Sequence, residues 1–304
     1  MIKPQGSWVA IPTPFNKDGS IDFGGFNTLI DFHAKNRTSM LLVMGSAGEV
    51  SLLSLEERKK IITKVSTYAK GRIPVFFGSS LATTEQTIAF AQYAEKEGAD
   101  GLVFTAPPYL LLTQTALYQF LRAAMGAVTI PVGIYNNPTR VVTNINPETI
   151  EKLSLEFPHF VADKEAVPNV QQLAEVKRRC GDRLSILCCD FPKYSIILPT
   201  LALGGDGSAN IGGNIIPREM AQMCKPWDTI EQVNLSKELY FTYYPLTSML
   251  YAFSNPIMIK PALDYMGLPG GALRSPNPNL EGAKLQELKD TLDMFEIREK
   301  YGVK

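Results

Sequence analysis

A lysine, a tyrosine and a serine stand where apolar segments give way to turns, and their types and spacing bound the chemistry this chain can do. Lys164 closes the run from Phe160, where burial makes an ammonium costly and lowers its pKa toward the range in which the free amine attacks a carbonyl. Schiff-base formation is the chemistry that suits it. The other reading is that Lys164 pairs with a carboxylate at the rim. Asp163 and Glu165 flank it, but side chains alternate across a strand, so both should point to the opposite face. Tyr135 closes the run from Pro131, where its phenol can shuttle protons or simply pack with its hydroxyl in water. Ser46 sits in Gly45-Ser46-Ala47-Gly48-Glu49, a turn whose backbone N–H groups can converge on a carboxylate, although most glycine turns bind nothing.

The elements that must position these groups alternate regularly. Apolar, β-branched runs occur at Trp8 to Ile11, Met40 to Met44, Pro74 to Gly78, Gly101 to Thr105, Pro131 to Tyr135, Phe160 to Lys164, Leu184 to Cys188 and Gly207 to Ile211. Helical stretches separate them, for example Ser54 to Ala69, Thr84 to Glu97, Thr113 to Ala127 and Pro168 to Arg179. Ser54-Leu55-Glu56-Glu57 has the capping-box spacing, and Asn146-Pro147-Glu148 puts Asn at a cap with Pro at the first helical position. Gly71, Gly98 and Gly181 stand where helices should stop. Repeated strand and helix units mean a parallel sheet, and eight of them favour an α/β fold of the (β/α)8 TIM-barrel type over an open doubly wound sheet. After Pro217 the pattern is wholly helical, through Ile230 to Tyr251, Pro256 to Met266 and Leu280 to Tyr301, with a Pro- and Gly-rich loop from Gly267 to Pro278. The expected division is a barrel over residues 1–224 and a C-terminal helical extension over 225–304. In such a barrel the catalytic groups project from the C-terminal strand ends, which is where Ser46, Tyr109, Tyr135 and Lys164 fall.

Composition removes several function classes. The 304 residues are 45% hydrophobic and 20% charged, enough for a large core. Basic and acidic residues number 30 each, without a run of Lys and Arg to track a nucleic-acid backbone or an anionic membrane. No apolar stretch reaches the ~18 residues of a membrane span, and the N-terminus lacks an apolar leader, so a cytoplasmic location is expected. The four cysteines, Cys180, Cys188, Cys189 and Cys224, lack CxxC spacing and read as reduced, mostly buried residues. The two histidines, His33 and His159, argue against the His-rich centre a metal-dependent aldolase needs; no metal or cofactor is expected.

Taken together, the chain resembles the dihydrodipicolinate synthase and N-acetylneuraminate lyase superfamily of pyruvate-imine lyases. The resemblance runs from Pro12-Thr13-Pro14-Phe15 through the Gly45 to Glu49 turn, Tyr135-Asn136-Asn137-Pro138, Lys164-Glu165-Ala166 and Leu203-Gly204-Gly205-Asp206-Gly207 to Asn255-Pro256-Ile257-Met258-Ile259-Lys260. It implies that Lys164 forms an imine with pyruvate or another 2-oxo acid and that Tyr135 is the central proton carrier. The resemblance implies too that Ser46 and Tyr109 complete its relay, with Tyr109 supplied across a subunit interface of a homotetramer, a dimer of dimers. It implies further that the turn with Ala47 and Gly48 holds the substrate carboxylate, that Gly207 and Ala209 belong to the substrate-binding set, and that Arg140 grips the carboxylate of a second substrate. The activity so implied is 4-hydroxy-tetrahydrodipicolinate synthase, acting on pyruvate and an aldehyde, aspartate semialdehyde. The alternatives are a catabolic aldolase or dehydratase for a 2-keto-3-deoxy sugar acid or 4-hydroxy-2-oxo acid, and a non-catalytic 2-oxo-acid-binding barrel. The chain departs from the family pattern at Ala47, where a hydroxyl residue is usual, at Leu110-Leu111-Leu112, where polar residues are usual, and at Asp163, in place of an aliphatic residue. Ala82, Gln86 and Pro108 replace the polar residues of the family's lysine feedback site, so strong inhibition by lysine is not expected.

Overall fold

The computed structural model describes residues 2–189 and 196–302; Met1 and residues 303–304, the outer ends of the two expected divisions, lie outside the described residues. Eight strands alternate with helices: β1 (Gly6–Ala10), α1 (Phe23–Lys35), β2 (Met40–Val43), α2 (Leu55–Ala69), β3 (Val75–Gly78), α3 (Thr84–Lys96), β4 (Gly101–Phe104) and α4 (Gln114–Gly126) form the first half. The second half is β5 (Val132–Asn136), α5 (Pro138–Val141), α6 (Pro147–Glu156), β6 (Phe160–Glu165), α7 (Val170–Cys180), β7 (Ser185–Cys189), α8 (Ile197–Ala202) and β8 (Gly207–Asn210). All pairings between these strands are parallel, and β8 pairs with β1 to close the barrel. The strands carry the expected runs with small shifts: β1 starts at Gly6, while β5, β6 and β7 each extend one residue further, to Asn136, Glu165 and Cys189.

Registers fix which side chains fill the barrel. Trp8 is in register with Met40 and Ala209, Leu42 with Phe76, Phe76 with Gly101, and Tyr135 with Lys164. In-register neighbours share a face, so these residues face inward and their neighbours along each strand face the helices. The interior is filled by pairing large with small. The Trp8 and Phe76 rings meet edge to face with centroids 5.5 Å apart, and a Cβ on Gly101 would lie 2.4 Å from the Phe76 ring. Alanine at 101 would therefore collide with the barrel's own filling.

The local signals act as read. Ser54 accepts from Glu57 N at 3.2 Å and Glu57 Oε2 accepts from Ser54 N at 2.8 Å, a complete capping box on α2. Gly71, Gly98 and Gly181 have φ of 75°, 85° and 55°, the left-handed stops glycine permits. Asn146 does precede α6 with Pro147 behind it, but its side chain makes no cap and instead accepts from Asn144 Nδ2 at 3.0 Å. The C-terminal helices are α9 (Pro217–Met223), α10 (Ile230–Met249), α11 (Ile259–Tyr265), α12 (Gly282–Met294) and α13 (Ile297–Tyr301). The expected single segment from Leu280 to Tyr301 is two helices, broken where Glu296 takes φ 54° so that Ile297 and Tyr301 can turn into the core. Among the described residues no helix is long and apolar enough to cross a membrane.

Candidate active site

A cleft of about 480 Å³ opens at the C-terminal ends of the strands, lined by Ser46, Glu49, Tyr135 and Arg140 among others. Its walls are strained in a way the sequence does not announce. Of six non-glycine residues with positive φ among those described, Met44 (58°) and Glu49 (53°) line the cleft, and Tyr109 (72°) and Val142 (67°) each follow a lining residue, Pro108 and Val141. Such conformations persist only where the surroundings impose them, and they gather at functional sites.

Tyr135 and Lys164 stand side by side on β5 and β6, as in-register neighbours. Lys164 is 3% exposed, and its Nζ lies 4.4 Å from the centroid of the Tyr135 ring. Among the described residues it makes no ion pair, so the reading of Lys164 as half of a rim salt bridge finds no partner. Lys164 itself does not line the cleft; Tyr135 does. The Tyr135 phenol accepts from Asn137 Nδ2 at 2.6 Å and lies 3.9 Å from Cys189 Sγ. Burial pushes its pKa well above the usual phenol value, Cys189 adds to the rise, and the Arg140 charge and the Asn137 hydrogen bond oppose it. Asn137 is itself fixed, its Oδ1 accepting from Thr139 Oγ1 at 2.6 Å.

Asp163 and Glu165 point away from Lys164, as alternation requires. Glu165 Oε2 accepts from Asn136 Nδ2 at 3.0 Å and Gln172 Nε2 at 2.9 Å, and Oε1 from Val167 N at 2.8 Å. Asn136 and Gln172 both reach Asn144, so this amide cluster ties the ends of β5 and β6 to the segment that follows Arg140. Among the described residues Asp163 has no hydrogen-bond partner for either carboxyl oxygen. Burial pushes Glu165 up to about 7 and Asp163 well above its usual value, the latter with help from the Glu165 charge.

The Gly45 to Glu49 turn closes on itself: Gly48 N donates to Gly45 O at 3.0 Å and Glu49 N to Ser46 O at 3.3 Å. The amide of Gly48 is thus committed within the turn, which leaves those of Ser46 and Ala47 as the donors a carboxylate would meet. Thr13 Oγ1 holds the turn by donating to Gly48 O at 2.7 Å. From the C-terminal extension, Lys260 Nζ approaches Glu49 Oε1 to 2.5 Å with both side chains 1% exposed, while Arg274 N and Asn277 Nδ2 donate to Glu49 Oε2. Burial pulls the Lys260 pKa down and the adjacent Glu49 opposes that.

The remaining sequence-derived candidates are dispersed. Arg140 lines the cleft from α5. Tyr109 is 93% exposed and is not brought to Tyr135 within the chain. Ser46 lines the cleft without a hydrogen bond to Tyr135. Ala209 is buried in register with Cys189, on the inner face near the Tyr135 phenol, whereas Gly207 opens β8 and lies against the backbone of Gly6, outside the cleft lining. Among the described residues no three His, Cys, Asp or Glu side chains gather as a metal site would require. Asn137, Glu49 and Lys260 stood inside the quoted motifs, but nothing in the sequence alone gave them contacts.

The dihydrodipicolinate synthetase family model matches residues 3–295. A 4-hydroxy-tetrahydrodipicolinate synthase of Methanococcus maripaludis is 36% identical over 284 residues, covering 93% of this chain and 96% of that protein. The crystal structure of dihydrodipicolinate synthase from Aquifex aeolicus superposes with a TM-score of 0.90 at 31% identity, over 97% of this chain and 99% of that one. A monomeric dihydrodipicolinate synthase variant superposes with a TM-score of 0.89 at 28% identity, over 96% of this chain and 97% of that one. This chain belongs to the dihydrodipicolinate synthetase family.

Proposed function

We propose that the chain is a 4-hydroxy-tetrahydrodipicolinate synthase, condensing pyruvate with aspartate semialdehyde through an imine on Lys164. The observation that carries this reading is the in-register pair on β5 and β6, an amine that is held 4.4 Å over a tyrosine ring and makes no ion pair among the described residues. The Lys164 amine adds to C2 of pyruvate, and the resulting carbinolamine loses its hydroxyl as water using the Tyr135 proton, which leaves an iminium and a phenolate. The phenolate takes a proton from C3 to give the enamine. The enamine adds to the aldehyde carbon as Tyr135 returns its proton to the aldehyde oxygen.

The Ser46 and Ala47 amides receive the pyruvate carboxylate, and Arg140 grips the second carboxylate, work for which its planar fork is suited. Tyr109 acts from a partner subunit in a homotetramer, the cytoplasmic form that the resemblance implies. The barrel, residues 1–224, carries the reacting groups, and the extension, 225–304, braces the turn through Lys260 and Arg274.

Incubation with pyruvate and borohydride, followed by peptide mass spectrometry, is expected to fix a reduced pyruvate adduct on Lys164. Absence of any adduct there would refute imine chemistry. A coupled assay with aspartate semialdehyde, run beside cleavage and dehydration of 2-keto-3-deoxy acids, then reads the substrate; turnover confined to the sugar acids would overturn the synthase assignment.

A further inference from the structure

We infer that Asn137 is a further catalytic residue, a fixed amide donor that holds the Tyr135 oxygen each time it gives up its proton. The inference rests on the imine reading above. Its basis is the geometry of a side chain that is 1% exposed and committed at both ends. Nδ2 reaches the phenol oxygen at 2.6 Å, and Oδ1 accepts from Thr139 Oγ1 at 2.6 Å, which keeps the amide from turning. Pro138 follows directly and starts α5, so the backbone beneath Asn137 is held by a ring-locked residue.

The need for such a donor follows from the surroundings. Among the described residues, the charged and titratable groups around Tyr135 are Lys164 Nζ over its ring from β6, the Cys189 thiol on β7 and Arg140 on α5. The Lys164 iminium keeps its charge but its nitrogen is tied to substrate carbon and lies over the ring rather than at the phenol oxygen, and Arg140 is occupied by the second carboxylate in the proposed complex. An oriented N–H that costs nothing to reorganise is then the steady stabiliser of the phenolate, as in an oxyanion hole. The proton leaves Tyr135 for the carbinolamine oxygen, the Asn137 N–H stays on nitrogen, and the phenol is restored by the C3 proton; no other reactant is required.

Three variants test this by steady-state kinetics across pH. Asn137→Val, which keeps an uncharged side chain at the position and removes the donor, is expected to lower kcat about 10- to 100-fold, the worth of a hydrogen bond to a charged oxygen, with little change in KM for pyruvate. Asn137→Asp, which offers only acceptors, is expected to be at least as impaired at neutral pH and to move the alkaline limb of the kcat profile upward. Thr139→Ala, which frees the amide without removing it, should lose less. A kcat and pH profile unchanged in Asn137→Val, or a loss expressed wholly as a higher KM, would overturn the role, as would normal kcat in Asn137→Asp. Circular dichroism and thermal melts are read alongside, and rates are taken per folded molecule. If the wild-type enzyme fails to form the pyruvate adduct, the imine reading falls and this inference with it; an adduct in the wild type with unaltered variants sinks the inference alone.

Discussion

The two faces of strands β5 and β6 are built to opposite rules. The inner face presents Tyr135 and Lys164, buried polar groups with few partners among the described residues: the lysine has a ring for a neighbour, the phenol one amide and a distant thiol. One residue along each strand, the outer face presents Asn136 and Glu165, whose polar atoms are bonded to Gln172, Asn144, Ile145 and Val167. Buried polar groups that are fully bonded fix geometry, while those left underbonded keep their reactivity at a cost in stability. The lesson is a division of labour by alternation, with the rigid face supporting the reactive one. Asp163 breaks the rule, since it lies on the supporting face with both oxygens unpartnered.

The largest effect should come from the inner face. Lys164→Met keeps the length of the side chain and removes the nucleophile, so activity should fall roughly 1,000-fold or more and the borohydride adduct should vanish. The melting temperature should hold or rise, because a buried amine that makes no ion pair among the described residues has gone. A marked loss of stability would mean that Lys164 has partners beyond the ring, and the contrast between faces would weaken.

On the outer face the order of effects reverses. Glu165→Ala leaves the Val167 amide and part of the Asn136 and Gln172 amides without an acceptor, and the expected cost is about 1–3 kcal/mol of unfolding free energy by denaturant titration. Activity per folded molecule should fall far less than in Lys164→Met. Equal losses in the two variants would show that the network does chemistry rather than support.

Asp163→Leu sharpens the exception. A carboxyl whose folded pKa is raised above its unfolded value near 4 keeps its proton in the native state while the unfolded chain releases one. Stability from Asp163 and Glu165 is therefore full below about pH 4 and declines as pH rises, for Glu165 through its folded value of about 7. Relative to the wild type, Asp163→Leu should be more stable at pH 8 by about 1–3 kcal/mol, with a shallower decline between pH 5 and 8. Glu57, held at about 2 chiefly by its hydrogen bond to Arg274, has the opposite sign: its contribution is full above its unfolded value and is lost as pH falls from there toward 2, outside this window. A Leu variant that melts earlier at pH 8 would show that the carboxylate is bound to something after all.

How much of this was legible follows from what each feature depends on. The barrel, Ser54's capping box and the strand-end positions of Lys164 and Tyr135 are matters of periodicity and local chemistry, which a sequence carries directly. Alternation was enough to turn Asp163 and Glu165 outward. What escaped depends on chain segments far apart: Lys260 meets Glu49 across more than 200 positions of sequence, and Glu49 is left-handed where that contact is made. Asn137 escaped for a different reason. It lies two residues from Tyr135, where a continuing strand would place it on the same face but about 6–7 Å further along; the chain leaves the strand at Asn136, and the contact exists because of that turn.

The smallest effect bears on Ala47, which is wholly buried in the turn proposed to receive the pyruvate carboxylate. Ala47→Ser adds a hydroxyl that has no partner in the free protein, so stability should drop by about 1 kcal/mol. Bound pyruvate would supply the missing acceptor, and KM should fall about threefold to tenfold with kcat unchanged. The two changes are linked, because a group unsatisfied without ligand and satisfied with it must make the ligand more stabilising. A thermal shift on adding pyruvate should therefore be larger in Ala47→Ser than in the wild type, even though its starting melting temperature is lower. If KM stays put and the shift does not grow, the carboxylate lies away from residue 47, and the underbonded inner face extends to the turn without serving it.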